Sequence, residues 1–133
     1  MNYRFIENQS FEDFASGRVI YHKSGVPNFP VRLAGEVFMT CLELCDKDKV
    51  VLYDPCCGGA YMITALGFLC VKHMDSIYAS DISQEAMVLA KENLSLLRPQ
   101  GLERRRLQLQ AMHREFGKDS HLDALQSIEK LVN

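Results

Sequence analysis

The sequence has no long apolar run, no apolar signal core, no excess of basic charge and no metal-ligand spacing, and each absence removes a class of function. Its longest apolar stretch, Ala60 to Val71, contains Thr64 and is too short to span a bilayer. Met1 to Asp13 includes Arg4, Glu7, Glu12 and Asp13, so no secretory leader is expected and a cytoplasmic location is. A net charge of −2 and a pI near 6.1 supply no general attraction to nucleic acid, which leaves only local RNA contacts. The five cysteines form no Cys-x-x-Cys pair and the four histidines are scattered, so no metal is expected. Cys41 and Cys45 share a possible helix face, but buried cysteine more often acts as a small hydrophobe. No G-x-G-x-x-G follows the first strand, since Ala60 and Ile63 stand at the second and third glycine positions.

What is present is the composition of one soluble globular domain, 133 residues with 47% hydrophobic and 24% charged. Its organising stretch is Val50-Val51-Leu52-Tyr53-Asp54-Pro55-Cys56-Cys57-Gly58-Gly59-Ala60-Tyr61. An apolar run ends in a carboxylate, passes through small residues and enters a second apolar run, the outline of a buried strand turning into a helix. Gly58 and Gly59, lacking Cβ atoms, can take positive φ and leave bare peptide against a ligand. Ile77 to Asp81 repeats the strand-to-carboxylate pattern one βαβ unit later. Right-handed crossover puts both strand tips on one edge of the sheet, where Asp81 can accept hydrogen bonds from both hydroxyls of a ribose. This indicates a nucleoside-bearing ligand.

Pro30 to Leu44 reads as a helix, with Leu33, Val37, Cys41 and Leu44 on one face and Ala34, Phe38 and Leu42 beside them. Arg18 to His22 has strand character, and Ser24 to Pro30 is irregular. Tyr61 to Lys72 predicts an all-round apolar crossover helix in which Gly67 marks a close approach to a neighbour. Ser83 is an N-cap for the next helix, whose buried stripe is Met87, Ala90, Leu94 and Leu97 and which Pro99-Gln100-Gly101 stops. Asn93 reads as a local hydrogen-bonding group. Arg104, Arg105 and Arg106 form either an RNA phosphate face or a solvated helix surface. Ser120 with Asp123 predicts a capping box for a last helix, Leu122 to Val132.

Three segments, Asp54-Pro55-Cys56-Cys57-Gly58-Gly59-Ala60-Tyr61, Ala79-Ser80-Asp81-Ile82 and Phe29-Pro30-Val31-Arg32-Leu33-Ala34, occur in the order and spacing of the AviRa family. That family comprises methyltransferases that modify a guanosine of large-subunit ribosomal RNA and confer avilamycin resistance, and the resemblance runs from about Arg18 to Leu131. It implies an α/β, partial Rossmann-like three-layer fold of the class I methyltransferase type, with parallel strands, a C-terminal helical insertion and a truncated outline. Residues 1–133 are then one domain: 1–29 a lead-in with a short strand, 30–97 a helix plus βαβα core, and 101–133 the insertion. The implied cofactor is S-adenosylmethionine. Asp54, Pro55, Cys56, Gly58, Gly59 and Ala60 would hold its methionine end, Asp81 its ribose and Ile82 its adenine, while Arg32 would meet the cofactor carboxylate or an RNA phosphate, or be solvated on its helix.

Two departures qualify the resemblance. The family loop reads Cys-Gly-Ser-Gly where this chain has Cys57-Gly58-Gly59-Ala60, and alanine at a position of positive φ costs on the order of 1 kcal/mol. Family members also continue to an Asp-x-Pro-Tyr-like segment facing the target base, which is absent here. No residue within 1–133 is therefore assigned a catalytic role. The chain reads as the cofactor half of a larger or split enzyme, with ribosomal RNA as partner and a complementing chain or second copy covering the open sheet. The alternatives are a non-catalytic remnant that binds cofactor or RNA, and a nicotinamide-dependent oxidoreductase.

Overall fold

A computed structural model describes residues 2–132; Met1 and Asn133, the ends of the expected domain, lie outside the described residues. The element order is α1 (Val31–Leu44), β1 (Val50–Asp54), α2 (Tyr61–Leu69), β2 (Met74–Ala79), α3 (Gln84–Ser95), α4 (Pro99–Phe116) and α5 (Asp119–Val132). Short 3-10 turns lie at Glu12–Phe14 and Val71–His73. β1 and β2 pair in parallel, with Asp54 opposite Ala79. Branched and aromatic residues favour the extended state in both strands. Pro55 cannot donate to the ladder and ends β1 at the carboxylate.

Leu52 and Ile77 point to the same side of the sheet and meet α1, α2 and α3 through two apolar clusters, one around Phe38, Leu42 and Leu66 and one around Ala60, Ile63 and Ala90. On the opposite side Val51, Tyr53 and Tyr78 are each more than half exposed. The described residues thus build two of the three expected layers. A third cluster lies on the far side of α2, where Val19, Ile20, Leu96, Leu109 and Ile128 join the α4–α5 hairpin to the rest. Val19 and Ile20 are wholly buried, and sealing an aliphatic side chain from water contributes about 1.5–3 kcal/mol.

Several local expectations are corrected. Arg18 to His22 forms no strand, because its backbone groups are bound by side chains and not by a neighbouring strand: Tyr21 N–H and C=O go to Asn93, and the Val19 and Arg18 carbonyls to Arg105. The buried face of α1 is Val31, Ala34, Gly35, Glu36, Phe38 and Leu42, whereas Val37, Cys41 and Leu44 are exposed. α2 ends at Leu69 and a 3-10 turn completes the segment to His73. α3 ends at Ser95, and Pro99 does not stop a helix but opens α4 as its first residue, where its missing N–H is harmless. Gly101 lies inside α4, at a position where a Cβ would fall 1.9 Å from the Ser95 carbonyl oxygen and only glycine fits. α5 begins at Asp119, which places Ser120 inside the helix and leaves no capping box. The Ser83 cap forms as expected, its hydroxyl accepting from Ala86 N–H at 3.1 Å. A Cβ on Gly67 would come within 2.6 Å of Leu97, the close approach its position implied.

Candidate functional site

The two strand tips are tied together by backbone as well as by side chains. Ser80 N–H donates to the Asp54 carbonyl at 2.9 Å and Cys57 N–H donates to the Ser80 carbonyl at 3.0 Å, so the loop after β1 lies against the end of β2. The Asp54 carboxylate accepts from Cys56 N–H at 3.0 Å. Asp81 spans the gap: one oxygen accepts from Gly58 N–H at 2.9 Å and the other from Ser83 N–H at 2.8 Å. The Ser83 and Gly58 amides hold the Asp81 carboxyl below its ordinary value by stabilising its charged form. Burial, reinforced by the nearby Asp54 and Asp81 charges, pushes the Cys57 thiol up and disfavours its thiolate.

Gly58 and Gly59 play different parts. Gly58 has φ +55° and nothing within 4 Å of where a Cβ would stand, an open cradle beside the Asp81 carboxylate. Gly59 has no positive φ; a Cβ on it would come within 2.6 Å of Leu89, so its smallness serves the packing of α3. Ala60 takes the left-handed conformation, φ 61° and ψ 29°, at the entrance to α2 while being 1% exposed. That is the conformation at which alanine in place of glycine is unfavourable. Ile82 has 101% relative exposure, an apolar side chain standing free beside Asp81. Pro55 and Cys56 are exposed on the outside of the same loop.

The structure thus brings Asp54, Pro55, Cys56, Gly58, Gly59, Ala60, Asp81 and Ile82 to one end of the sheet, and it places the four arginines elsewhere. Arg32 donates through Nε to the Ile6 carbonyl at 3.0 Å and lies 3.9 Å from the centre of the Tyr3 ring, pinning the lead-in segment. Arg105 is 7% exposed, donates to the Val19 carbonyl at 2.9 Å and stacks on Tyr21, so an RNA phosphate cannot reach it. Its burial lowers its pKa. Arg106 is held by Glu103 and Glu129. Arg104 alone of the three is exposed, so the three-arginine phosphate face is not formed.

Two buried polar residues do more than the sequence suggested: Asn93 was read as a local hydrogen-bonding group but its partners are distant, and Glu36 was passed over. Asn93 is 0% exposed and bridges Tyr21 to the Gly59 carbonyl. Glu36, 2% exposed, accepts from the N–H groups of Arg4, Phe5 and Ile6. Burial would raise its pKa, but these three backbone donors outweigh it and lower the value. The signal for both was a polar residue inside an apolar helical stripe. Among the described residues, no group of three His, Cys, Asp or Glu side chains could hold a metal ion, and no helix is long and apolar enough to cross a membrane. A concavity of about 1200 Å³ runs along β2 between Phe68, Leu97 and Val132, away from the strand tips.

Comparison with known proteins follows the same outline. Residues 1–133 match the family described as rRNA methyltransferase AviRa. The chain is 40% identical over 127 residues to the 23S rRNA (guanine(2535)-N(1))-methyltransferase of Streptomyces viridochromogenes, covering 95% of this chain and 51% of that one. Two structures of the Streptomyces viridochromogenes rRNA methyltransferase aviRa superpose on 98% of this chain and 53% of theirs. The one solved at 1.5 Å gives a TM-score of 0.94 at 40% identity, and the one at 2.4 Å gives 0.93 at 39%. The chain spans about half the length of the relatives it matches.

Proposed function

The chain belongs to the AviRa rRNA methyltransferase family, and from that membership we propose that residues 1–133 carry the cofactor-binding half of an S-adenosylmethionine-dependent enzyme that methylates a guanosine of large-subunit ribosomal RNA in the cytoplasm. The observation that carries this reading is the juxtaposition of Asp54, the open Gly58 turn and Asp81 at one end of the parallel pair, with Ile82 free beside them.

Each group suits one part of an adenosyl amino acid. Asp81 keeps unused lone pairs after accepting from Gly58 and Ser83 and can take the ribose hydroxyls in charge-assisted bonds, each worth about 1.5–3 kcal/mol. Ile82 offers an apolar face to the adenine. Asp54 and the Gly58-Gly59-Ala60 backbone hold the methionine end, with Pro55 and Cys56 shaping its rim. The cofactor, when bound, supplies a sulfonium methyl group for transfer to a guanine nitrogen. The contribution of these residues is orientation: they hold the donor in one pose so that transfer depends on proximity and not on an acid or base from this chain. The target base reaches such a site by leaving its stack.

The bare sheet face at Val51, Tyr53 and Tyr78 supports a further part of the proposal, that additional polypeptide covers the sheet and supplies the base-facing residues in the working enzyme. Calorimetric titration of the chain with S-adenosylhomocysteine, in competition with NADH, tests the cofactor reading. Saturable binding that NADH does not displace and that Asp81→Ala abolishes is expected. Binding of NADH with no competition from S-adenosylhomocysteine would revive the oxidoreductase reading, and equal heats from wild type and Asp81→Ala would remove the ribose assignment.

A further inference from the structure

We infer that Asn93 is a positioning residue for the ligand loop: it clamps a strap of the N-terminal segment to the Gly59 carbonyl and so sets the backbone turn at Gly59-Ala60. Its side-chain amide acts as a substitute peptide group. Oδ1 accepts from Tyr21 N–H at 2.7 Å, while Nδ2 donates to the Tyr21 carbonyl at 3.1 Å and to the Gly59 carbonyl at 2.8 Å. Both N–H donors of the amide are thus spent, in a site with no solvent exposure. Aspartate would keep the shape and lose both donors.

The geometry explains why the loop needs such a clamp. Ala60 sits in the left-handed region without being glycine, a conformation that persists only where the surroundings over-determine it. The loop is held on one flank by Asp81, through Gly58 N–H, and on the other by Asn93, through the Gly59 carbonyl. Leu89, one helical turn before Asn93, fills the space beside Gly59, so α3 grips the same residue twice. The strap itself is fixed from its outer side, where Arg105 binds the Val19 carbonyl and lies 4.3 Å from the centre of the Tyr21 ring. The turn is therefore set by α3 and by a segment distant in sequence, in addition to its own short-range bonds.

The functional meaning of this clamp rests on the proposed cofactor reading, but its structural content does not. Asn93→Asp, Asn93→Ser and, as a control in the separate apolar cluster around Phe38 and Leu66, Leu42→Val are compared with wild type by amide hydrogen exchange and by calorimetry with S-adenosylhomocysteine. In either Asn93 variant the Ala60 N–H, which bonds the Cys57 carbonyl at 2.9 Å, is expected to exchange at least tenfold faster, while the Ala86 N–H on the Ser83 cap changes less than threefold. Affinity falls at least tenfold in step. Leu42→Val leaves the ratio of the two exchange rates unchanged. Equal acceleration at Ala60 and Ala86, or none at Ala60, overturns the inference; should Asn93→Asp not fold, Asn93→Ser decides alone. If wild type itself binds no S-adenosylhomocysteine, the cofactor reading falls and the exchange ratio still decides the role of Asn93.

Discussion

Replacing Arg105 by methionine keeps an apolar stem of similar length and deletes the guanidinium, which separates the two roles an arginine in this run can have. The wild-type group donates to the Val19 carbonyl at 2.9 Å, more weakly to Arg18 and Gln108 at 3.3 Å, and stacks on Tyr21. Val19 is wholly buried, so its carbonyl is stranded, at a cost of about 1–3 kcal/mol. Loss of the cation–π contact adds roughly 0.5–2 kcal/mol. Removing a buried charge recovers part of its desolvation, and the Arg18 carbonyl can turn to water. The balance is a destabilisation of about 2–4 kcal/mol. Arg104→Met, at an exposed position, should stay within about 0.5 kcal/mol of wild type. In urea unfolding followed by circular dichroism, with a slope of about 2 kcal/mol per molar, the Arg105→Met midpoint should drop by about 1–2 M. Equal midpoints for the two variants would refute the inward role of Arg105 and restore the three-arginine surface.

The left-handed alanine makes a paired prediction: Ala60 and Ala65 are each 1% exposed, but only Ala60 has positive φ. Ala65→Gly therefore loses a buried methyl and helix propensity, whereas Ala60→Gly regains about 1–2 kcal/mol of backbone strain and should melt measurably higher than Ala65→Gly. Gly59→Ala is expected to destabilise by overpacking against Leu89, on the order of 1–3 kcal/mol. Its cost should shrink in a Leu89→Ala background, while the cost of Gly58→Ala, which is conformational, should not. Asp81 has a depressed folded-state pKa, so its ionised form stabilises the fold above the unfolded value of about 3.9. That contribution is lost as pH falls through the folded value, and melting curves of wild type and Asp81→Asn should diverge above pH 4 and converge in acid.

The parts legible in the sequence were those governed by local chemistry. The end of β1 marked by Asp54-Pro55 and the Ser83 cap depend on residues near one another in the chain, and they stand as read. Asp81 does not end a strand: β2 stops at Ala79, and Asp81 lies in the loop that follows. The close approach at Gly67 was legible from the glycine alone, although the neighbour it meets, Leu97, is distant in sequence. The parts misread depend on partners far away in sequence. Arg18 to His22 has the composition of a strand, yet side chains from Asn93 and Arg105 satisfy its backbone and no second strand is involved. Arg104, Arg105 and Arg106 look equivalent in a list, but a helix turns consecutive residues about 100° apart, which sends Arg105 inward and leaves Arg104 outside. Pro99 punctuates either as a stop or as a start, and the extended backbone of Arg98 just before it makes it the first residue of a new helix.

The central claim is that the ligand sits across the tips of β1 and β2, and amide chemical-shift mapping tests it most directly. On titration with S-adenosylhomocysteine, the amides of Cys56 to Ala60 and of Asp81 to Ser83 should shift together with a single dissociation constant. Shifts confined to the concavity along β2, around Phe68 and Leu97, or no shift at Gly58 and Asp81 at saturation, would contradict it.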